Sequence, residues 1–396
     1  MEEFQNLPEE YRENIEHSLN LLTNGNILIF HKPNTFFEKS FRPYVVICSV
    51  VTYLASLTMY LGKVFRGELQ LTELSYVVSV YMVSVQAILK AAIAALNKEE
   101  IGLIILELGR LWRTQDLTEE QINKKNAQLK RLKFCYAVVY WINMIGSWQY
   151  ILAPLLETVF RKFILHEECG LLLPFSCSFP FDPSGSWGRY IGVYIFETYS
   201  MFRIVYFYLG VEFLMISLCS NLATEFTLLQ EDLQNVKPER NNIALKAIIA
   251  NHQKLISLSQ QLDNVFDKVI FVNLTSAAVP LCFFGFSAKV AHGVLQMVNN
   301  FAAVISLILP LCNMCYFGEQ IREASAGISD AVYHNLWYRG DIRFQKILCF
   351  VQRRSQKPCC MTSYKFSPIA LTTFTTVLST TWSYFSLASS LYEGEN

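Results

Sequence analysis

Seven stretches of the chain are apolar over about the 20 residues that a helix needs to cross a bilayer. They run at 43–62, 72–96, 134–156, 189–219, 266–287, 298–318 and 367–391. The fourth is longer than a bilayer requires, so its second half is expected to continue out of the membrane. Between the runs the pattern stays helical but becomes amphipathic. Leu245, Ile248, Ile249, His252, Leu255, Leu258 and Leu262 recur at the three- and four-residue spacing that lines one helix face. Such a stripe has to be buried. Its expected partners are the extension of the fourth run and the segment REASAGISDAVYHNLWYRGDIRFQKILCFVQRR, residues 322–354. The pattern predicts an all-α, polytopic membrane protein with seven transmembrane helices, some extended into a region beside the membrane. No internal repeat and no Pro-, Gly- or Ser-rich linker divides the chain, so residues 1–396 are expected to form a single integral membrane domain.

Charge supplies the orientation. Lys and Arg collect in the N-terminal tail (Arg12, Lys32, Lys39, Arg42) and in the second, fourth and sixth loops. The second loop has Lys98, Arg110, Arg113, Lys124, Lys125, Lys130, Arg131 and Lys133, and the fourth has Lys237, Arg240, Lys246 and Lys254. The sixth has Arg322, Arg339, Arg343, Lys346, Arg353, Arg354, Lys357 and Lys365, whereas the alternate loops hold only Lys63, Arg66, Arg161, Lys162 and Lys289. The positive-inside bias puts the amino terminus in the cytosol and, after seven crossings, the carboxyl terminus outside. The expected layout is a cytosolic segment 1–42, spans one to four over 43–219, a cytosolic helical segment 220–265, spans five and six over 266–318, a cytosolic segment 319–366, and the last span at 367–391. The first twenty residues are acidic and have no apolar signal-peptide core, so the run that begins near Tyr44 is expected to remain as a span.

Composition fits this reading. Of 396 residues 52% are hydrophobic and 14% aromatic, while only 17% are charged, against roughly 25% in soluble domains. The formal net charge is zero, so no overall field draws nucleic acid. The eleven cysteines show no zinc spacing. Cys169 and Cys177 share the longest outer loop, where a bridge and two separate thiols both remain open. No Ser-His-Asp, Cys-His or paired-carboxylate arrangement is visible, which argues against an enzyme, and no cofactor or metal motif is present. Within the spans lie Lys90, Glu197 and Arg203. Intramembrane charge is costly and often functional. Lys90 could snorkel to the interface, Glu197 sits where water can reach it, and Arg203 is deep enough to need a partner.

The last run, PIALTTFTTVLSTTWSYFSLASSLYEGEN, carries no charge up to Tyr392 yet is rich in Ser and Thr. Thr372, Thr376, Ser379, Ser383, Ser386 and Ser390 form one stripe. Two readings stand side by side: a water-facing wall, or a seam of small residues between helices.

The sequence CYFGEQIREASAGISDAVYHNLWY, with Cys315, Tyr316, Phe317, Gly318, Ser329, Ala331, Tyr333 and Trp337, resembles the signature of insect odorant receptors. The closing Ser383-Tyr384-Phe385 fits the same family, as do length and span number. The short segment at 220–265 is similar to the odorant-tuned subunits rather than to the shared co-receptor. The resemblance implies a heterotetrameric, ligand-gated cation channel in the plasma membrane of sensory neurons, formed with the odorant co-receptor and opened by a small volatile odorant. It implies that Thr376, Thr380, Ser383 and Ser390 face the pore, with a gate at Leu387 and Leu391. It also implies a pocket in the outer half of the subunit. Candidate lining residues are Tyr76, Val80 and Tyr81; Asn143, Gly146 and Tyr150; Tyr194, Thr198, Met201 and Phe202; and Phe301, Val304 and Ile305. The alternatives are a gustatory-type or other chemosensory channel subunit and a small-molecule transporter.

Overall fold

The computed structural model describes residues 2–30, 41–66, 71–164, 166, 171–175, 177–238, 243–291 and 293–395. Lys32, Lys39, Cys169 and Arg240 lie outside the described residues. The helices are α1 (Glu2–Gln5), α2 (Glu9–Asn24), α3 (Arg42–Phe65), α4 (Leu71–Leu96), α5 (Lys98–Leu111), α6 (Glu119–Val159), α7 (Trp187–Asn235), α8 (Ile243–Val290), α9 (Val294–His334), α10 (Ile342–Ser355) and α11 (Leu371–Glu395). The architecture is all-α apart from a two-residue-per-strand hairpin, Thr362–Ser363 against Ser367–Pro368. Among the described residues, five helical segments are long and apolar enough to cross a membrane: Arg42–Lys63, Leu74–Leu96, Trp187–Asn235, Ile243–Val290 and Gln296–His334. The other two expected spans fall in α6 and α11, which are long helices with more polar side chains.

Local sequence sets the helix starts. Thr118 and Gln121 form a capping box at α6: Gln121 N–H donates to Thr118 Oγ1 at 3.2 Å, and Thr118 N–H to Gln121 Oε1 at 3.0 Å. Asp341 caps α10 by accepting from Phe344 N–H at 2.8 Å. The expected divisions at 219/220, 265/266 and 318/319 all fall inside unbroken helices, because the apolar spans and the amphipathic stretches share one helical register in α7, α8 and α9.

α7 is the central column, packed by α2, α3, α4, α6, α8 and α9. Every residue from Phe207 to Phe226 is buried. The acidic N-terminal stretch is part of this packing. α2 buries Tyr11, Ile15, Leu21 and Leu22, its Ser18 hydroxyl meets Tyr136, and Ser217 Oγ donates to the Asn14 carbonyl at 2.9 Å. Gly210 permits the approach, since a Cβ there would lie 3.0 Å from Leu22 Cδ2. The amphipathic stripe of α8 is buried at Leu245, Ile248, His252, Leu255, Leu258 and Leu262, with Ile249 half-buried. Its neighbours are α7 and α9, as expected, and also α5, whose Ile101, Ile104, Ile105 and Leu108 are buried.

Candidate functional site

Three helices bring small positions to one place. Ile142, Asn143, Gly146, Ser147 and Tyr150 lie along one face of α6, and Met201, Ile204, Val205 and Tyr208 along one face of α7. Ala302, Ala303, Ser306 and Leu307 do the same on α9, and Val83 of α4 closes the wall. Together they enclose a cavity of about 130 Å³. Gly146 leaves the room, because a Cβ built there meets nothing within 4 Å. The polar groups on the wall are mostly turned to their own backbone. Asn143 Nδ2 donates to the Val139 carbonyl at 2.8 Å and Ser306 Oγ to Ala303 at 2.7 Å. Tyr150 reaches the Asn299 carbonyl at 3.2 Å. The cavity is therefore apolar in character and suits a small volatile molecule held by shape.

Of the candidate pocket residues, Asn143, Gly146, Tyr150 and Met201 line this cavity. Tyr76 stands behind it, stacked on Tyr150 with ring centroids 6.2 Å apart and edge-on to Phe284. Val80, Tyr81 and Val304 pack into the main core. Tyr194 belongs to a separate small cluster with Ile151 and Tyr190, and its hydroxyl donates to the Ile151 carbonyl. Thr198 is half-buried, away from the cavity. Phe202 instead meets Trp148 in a tilted ring contact at 5.1 Å, in an open groove between α6 and α7. Phe301 and Ile305 stand on the exposed side of α9, 49% and 45% accessible. The α9 residues that do line the cavity are one step round the helix. Ala302, Ala303 and Ser306 carry no bulky apolar group that would mark them in the sequence, yet it is such small side chains that leave space.

The intramembrane charges find partners. Lys90 is not snorkelling: it is 0% exposed and pairs with Glu212 at 2.9 Å. Asn273 Nδ2 donates to the same Glu212 Oε2 at 3.0 Å, Gln86 donates to Asn273 Oδ1 at 2.9 Å, and the Lys90 ammonium lies 4.0 Å from the Tyr208 ring centroid. Glu212 carries the only acidic side chain of this cluster and had no signal in the sequence beyond being a carboxylate in an apolar run. Glu197 is buried rather than wet, since the loop before α7 folds back over it. Phe175 N–H donates to Glu197 Oε2 at 3.2 Å, and the Phe175 ring meets Tyr53 edge-on at 5.9 Å. In the same loop Cys177 is a free, half-buried thiol. Arg203 donates to the carbonyl of Asn24, the last residue of α2, and lies over Tyr199 at 4.6 Å. A cation at a helix C-terminus is favourable.

α11 leans on α8 and α9. Glu319 Oε2 accepts from Leu371 N–H at 3.3 Å at its start, and Phe385 lies 3.5 Å from a Cβ built on Gly285. Thr376, Thr380, Ser383, Leu387 and Ser390 face away from the rest of the chain, Leu387 being 59% exposed. The side chain of Leu391 is outside the described residues. The hydroxyls are bonded within the helix: Thr376 to Thr372, Thr380 to Thr376, Ser383 to Ser379 and Ser390 to Leu387, all at 2.9–3.0 Å.

The profile of the 7tm Odorant receptor family matches residues 70–382. The chain belongs to the insect odorant-receptor family. In Drosophila melanogaster, putative odorant receptor 92a is 26% identical over 56% of the chain and 55% of its own length. Odorant receptor 85b is 23% identical over 75% of the chain and 77% of its own length. The structure of the insect olfactory receptor OR5 from Machilis hrabei in complex with eugenol superposes with a TM-score of 0.80, at 13% identity, over 97% of the chain and 100% of that receptor. The receptor is thus a multi-pass membrane protein of a non-enzymatic class. Among the described residues no group of His, Cys, Asp and Glu is placed to hold a metal ion.

Proposed function

We propose that the receptor is the odorant-tuned subunit of a heteromeric cation channel formed with the odorant co-receptor in the plasma membrane of a sensory neuron. In this reading the chain crosses the membrane seven times, with α6 and α11 as the two more polar spans, and the charge bias of the loops supports a cytosolic amino terminus and an outer carboxyl terminus. The odorant occupies the cavity between α6, α7 and α9, and α11 lines the pore with Leu387 at the gate. The observation that carries this reading is the outward face of α11. A helix without charge from Leu371 to Tyr392 that leaves a hydroxyl stripe uncovered, with Thr376, Thr380, Ser383 and Ser390 already bonded to its own backbone, presents a mildly polar wall at little cost in either lipid or water. An aromatic or medium-chain volatile is the ligand class, supported by the aromatic and small-residue walls and by the eugenol bound to the structurally similar olfactory receptor.

Odorant binding can open the pore only by favouring the open state over the closed one. Tyr208 and Leu307 on the pocket floor belong to α7 and α9, and α9 in turn packs on α11, which gives a contiguous route for that bias. The experiment is expression with and without the co-receptor, an odorant panel, and surface labelling of terminal tags. Odorant-evoked cation current should need both chains, and a tag after Asn396 should label on intact cells. Saturable tracer flux without current would favour a transporter, and labelling of the amino terminus on intact cells would overturn the orientation.

A further inference from the structure

The apolar pocket does not end at Tyr208 and Leu307. The same two side chains line a second cavity of about 10 Å³, lying further toward the C-terminal end of α7. Its other walls include Gln86, Glu212, Asn273 and Pro280. That space is the size of one water or one hydroxyl group. The polar atoms around it are unequally satisfied. Glu212 Oε2 accepts from Lys90 and from Asn273, but Glu212 Oε1 is buried and has no partner, on a side chain only 1% exposed. That carboxylate oxygen lacks a donor, and a buried acceptor left unpaired is costly.

We propose that this cavity is a hydroxyl subsite of the odorant pocket. The O–H of a small alcohol or phenol donates to Glu212 Oε1, and its alkyl or aryl part lies in the 130 Å³ cavity on the other side of Tyr208 and Leu307. A side-chain rotation of Leu307 joins the two spaces. A single water fills the subsite when the ligand carries no donor. The Lys90–Glu212 pair thereby sets specificity: it holds a carboxylate oxygen at the end of an apolar pocket and rewards ligands that can donate to it. This rests on the odorant-pocket reading above and adds a chemical class to it.

The test uses the receptor with its co-receptor and a panel of five- to eight-carbon primary alcohols, each paired with its isomeric methyl ether. The isomers have the same atoms, and only the alcohol can donate. Kd values are read on the purified complex by ligand-induced thermal stabilisation, and EC50 values are read from currents. A complex that binds without conducting then fails the channel reading and still decides the subsite. The alcohols are expected to bind about 10-fold or more tightly than the ethers, the usual worth of a hydrogen bond to a charged group. Lys90→Met/Glu212→Leu removes both charges together, leaves no ion unpaired, and should bring the ratio to about one by weakening the alcohols alone. Leu307→Phe keeps the ion pair but blocks the joint, and should collapse the same ratio; it decides the matter if the double variant does not reach the surface. Equal affinities in the unaltered complex would mean a water site only and would overturn the proposal. So would a ratio that survives the blocking variant, or a complex that binds neither isomer.

Discussion

From Phe207 to Phe226 α7 has no exposed residue, whereas α11 shows solvent or lipid one continuous side from Thr372 to Ser390. Both helices carry polar groups through an apolar region. In α7 several of these groups bond across the bundle: Glu212 Oε2 accepts from Lys90 and Asn273, Glu225 accepts from Arg113, and Ser217 donates to the backbone of α2. In α11 they are hydroxyls satisfied one turn back along the same helix. A side chain that depends on another helix fixes that helix in place. A side chain that is content with its own backbone leaves its face free for another subunit or for water. α7 is accordingly the scaffold of the receptor, and α11 the helix whose outer face the rest of the chain leaves uncovered.

The sharpest break in this comparison is Glu212→Leu alone. It strands the buried Lys90 charge and should destabilise the fold by about 3–5 kcal/mol, read as loss of surface receptor and a lower Tm. An equally stable variant would mean that α7 does not depend on cross-bundle pairing. Next comes Gly146→Trp, which fills the cavity that the missing Cβ leaves open. Odorant EC50 should rise by at least about 10-fold while surface labelling is retained, because the site is space rather than structure. On α11, Leu387→Ala should raise basal current several-fold in the complex by weakening a dry constriction. The half-buried Leu378→Ala should instead lower stability and leave leak unchanged.

A subtler contrast lies in the C-terminal half of α7. Burial pushes the Glu225 carboxyl up to about 7, even with Arg113 donating to both its oxygens at 3.1 and 3.3 Å. A folded-state value above the ordinary carboxylate value means that the fold binds the proton more tightly than the unfolded chain does. Its stabilising contribution is complete below the ordinary value, 4.5, and is lost as pH rises to about 7. Glu225→Gln, which has no charge to bury, should therefore gain in Tm relative to the parent between pH 5 and pH 8 and show no further gain above that. The smallest effect is expected from Thr376→Val: under about 0.5 kcal/mol in stability, since an exposed hydroxyl bonded to its own helix contributes little. A change in single-channel conductance without a change in Tm would place Thr376 on the permeation path, and unchanged conductance would return the stripe to a packing role.

Much of the fold was legible because its determinants are periodic. Apolar runs of bilayer length located α3, α4, α7, α8 and α9, and the stripe from Leu245 to Leu262 announced which side of α8 is buried. The pocket was only partly legible. Asn143, Gly146 and Tyr150 share a helix face, so spacing alone groups them, and Met201 was reached by the same reasoning on α7. Ala302, Ala303, Ser306 and Leu307 were not found, because a void is defined by what is missing from facing helices and no single helix records it. From the sequence, the acidic N-terminal tail likewise reads as a simple cytosolic segment. Its buried residues rest on two different helices: Gly210 of α7 admits Leu22, while Gly109 of α5 admits Tyr11, whose hydroxyl donates to the Ile105 carbonyl at 2.8 Å.

The sequence by itself determined the class, the number of apolar runs, the charge asymmetry of the loops and the uncharged hydroxyl stripe of α11. These follow from composition and short-range spacing, which the solvent reads locally. Only the tertiary structure decided that Lys90 meets Glu212 rather than the interface, that Glu197 is roofed by Phe175, and that Arg203 caps α2. It also decided that the space between α6, α7 and α9 stays open. Each of those pairs spans separate helices. The free energy of a buried charge or a void is set by the groups packed against it, and these come from distant parts of the chain.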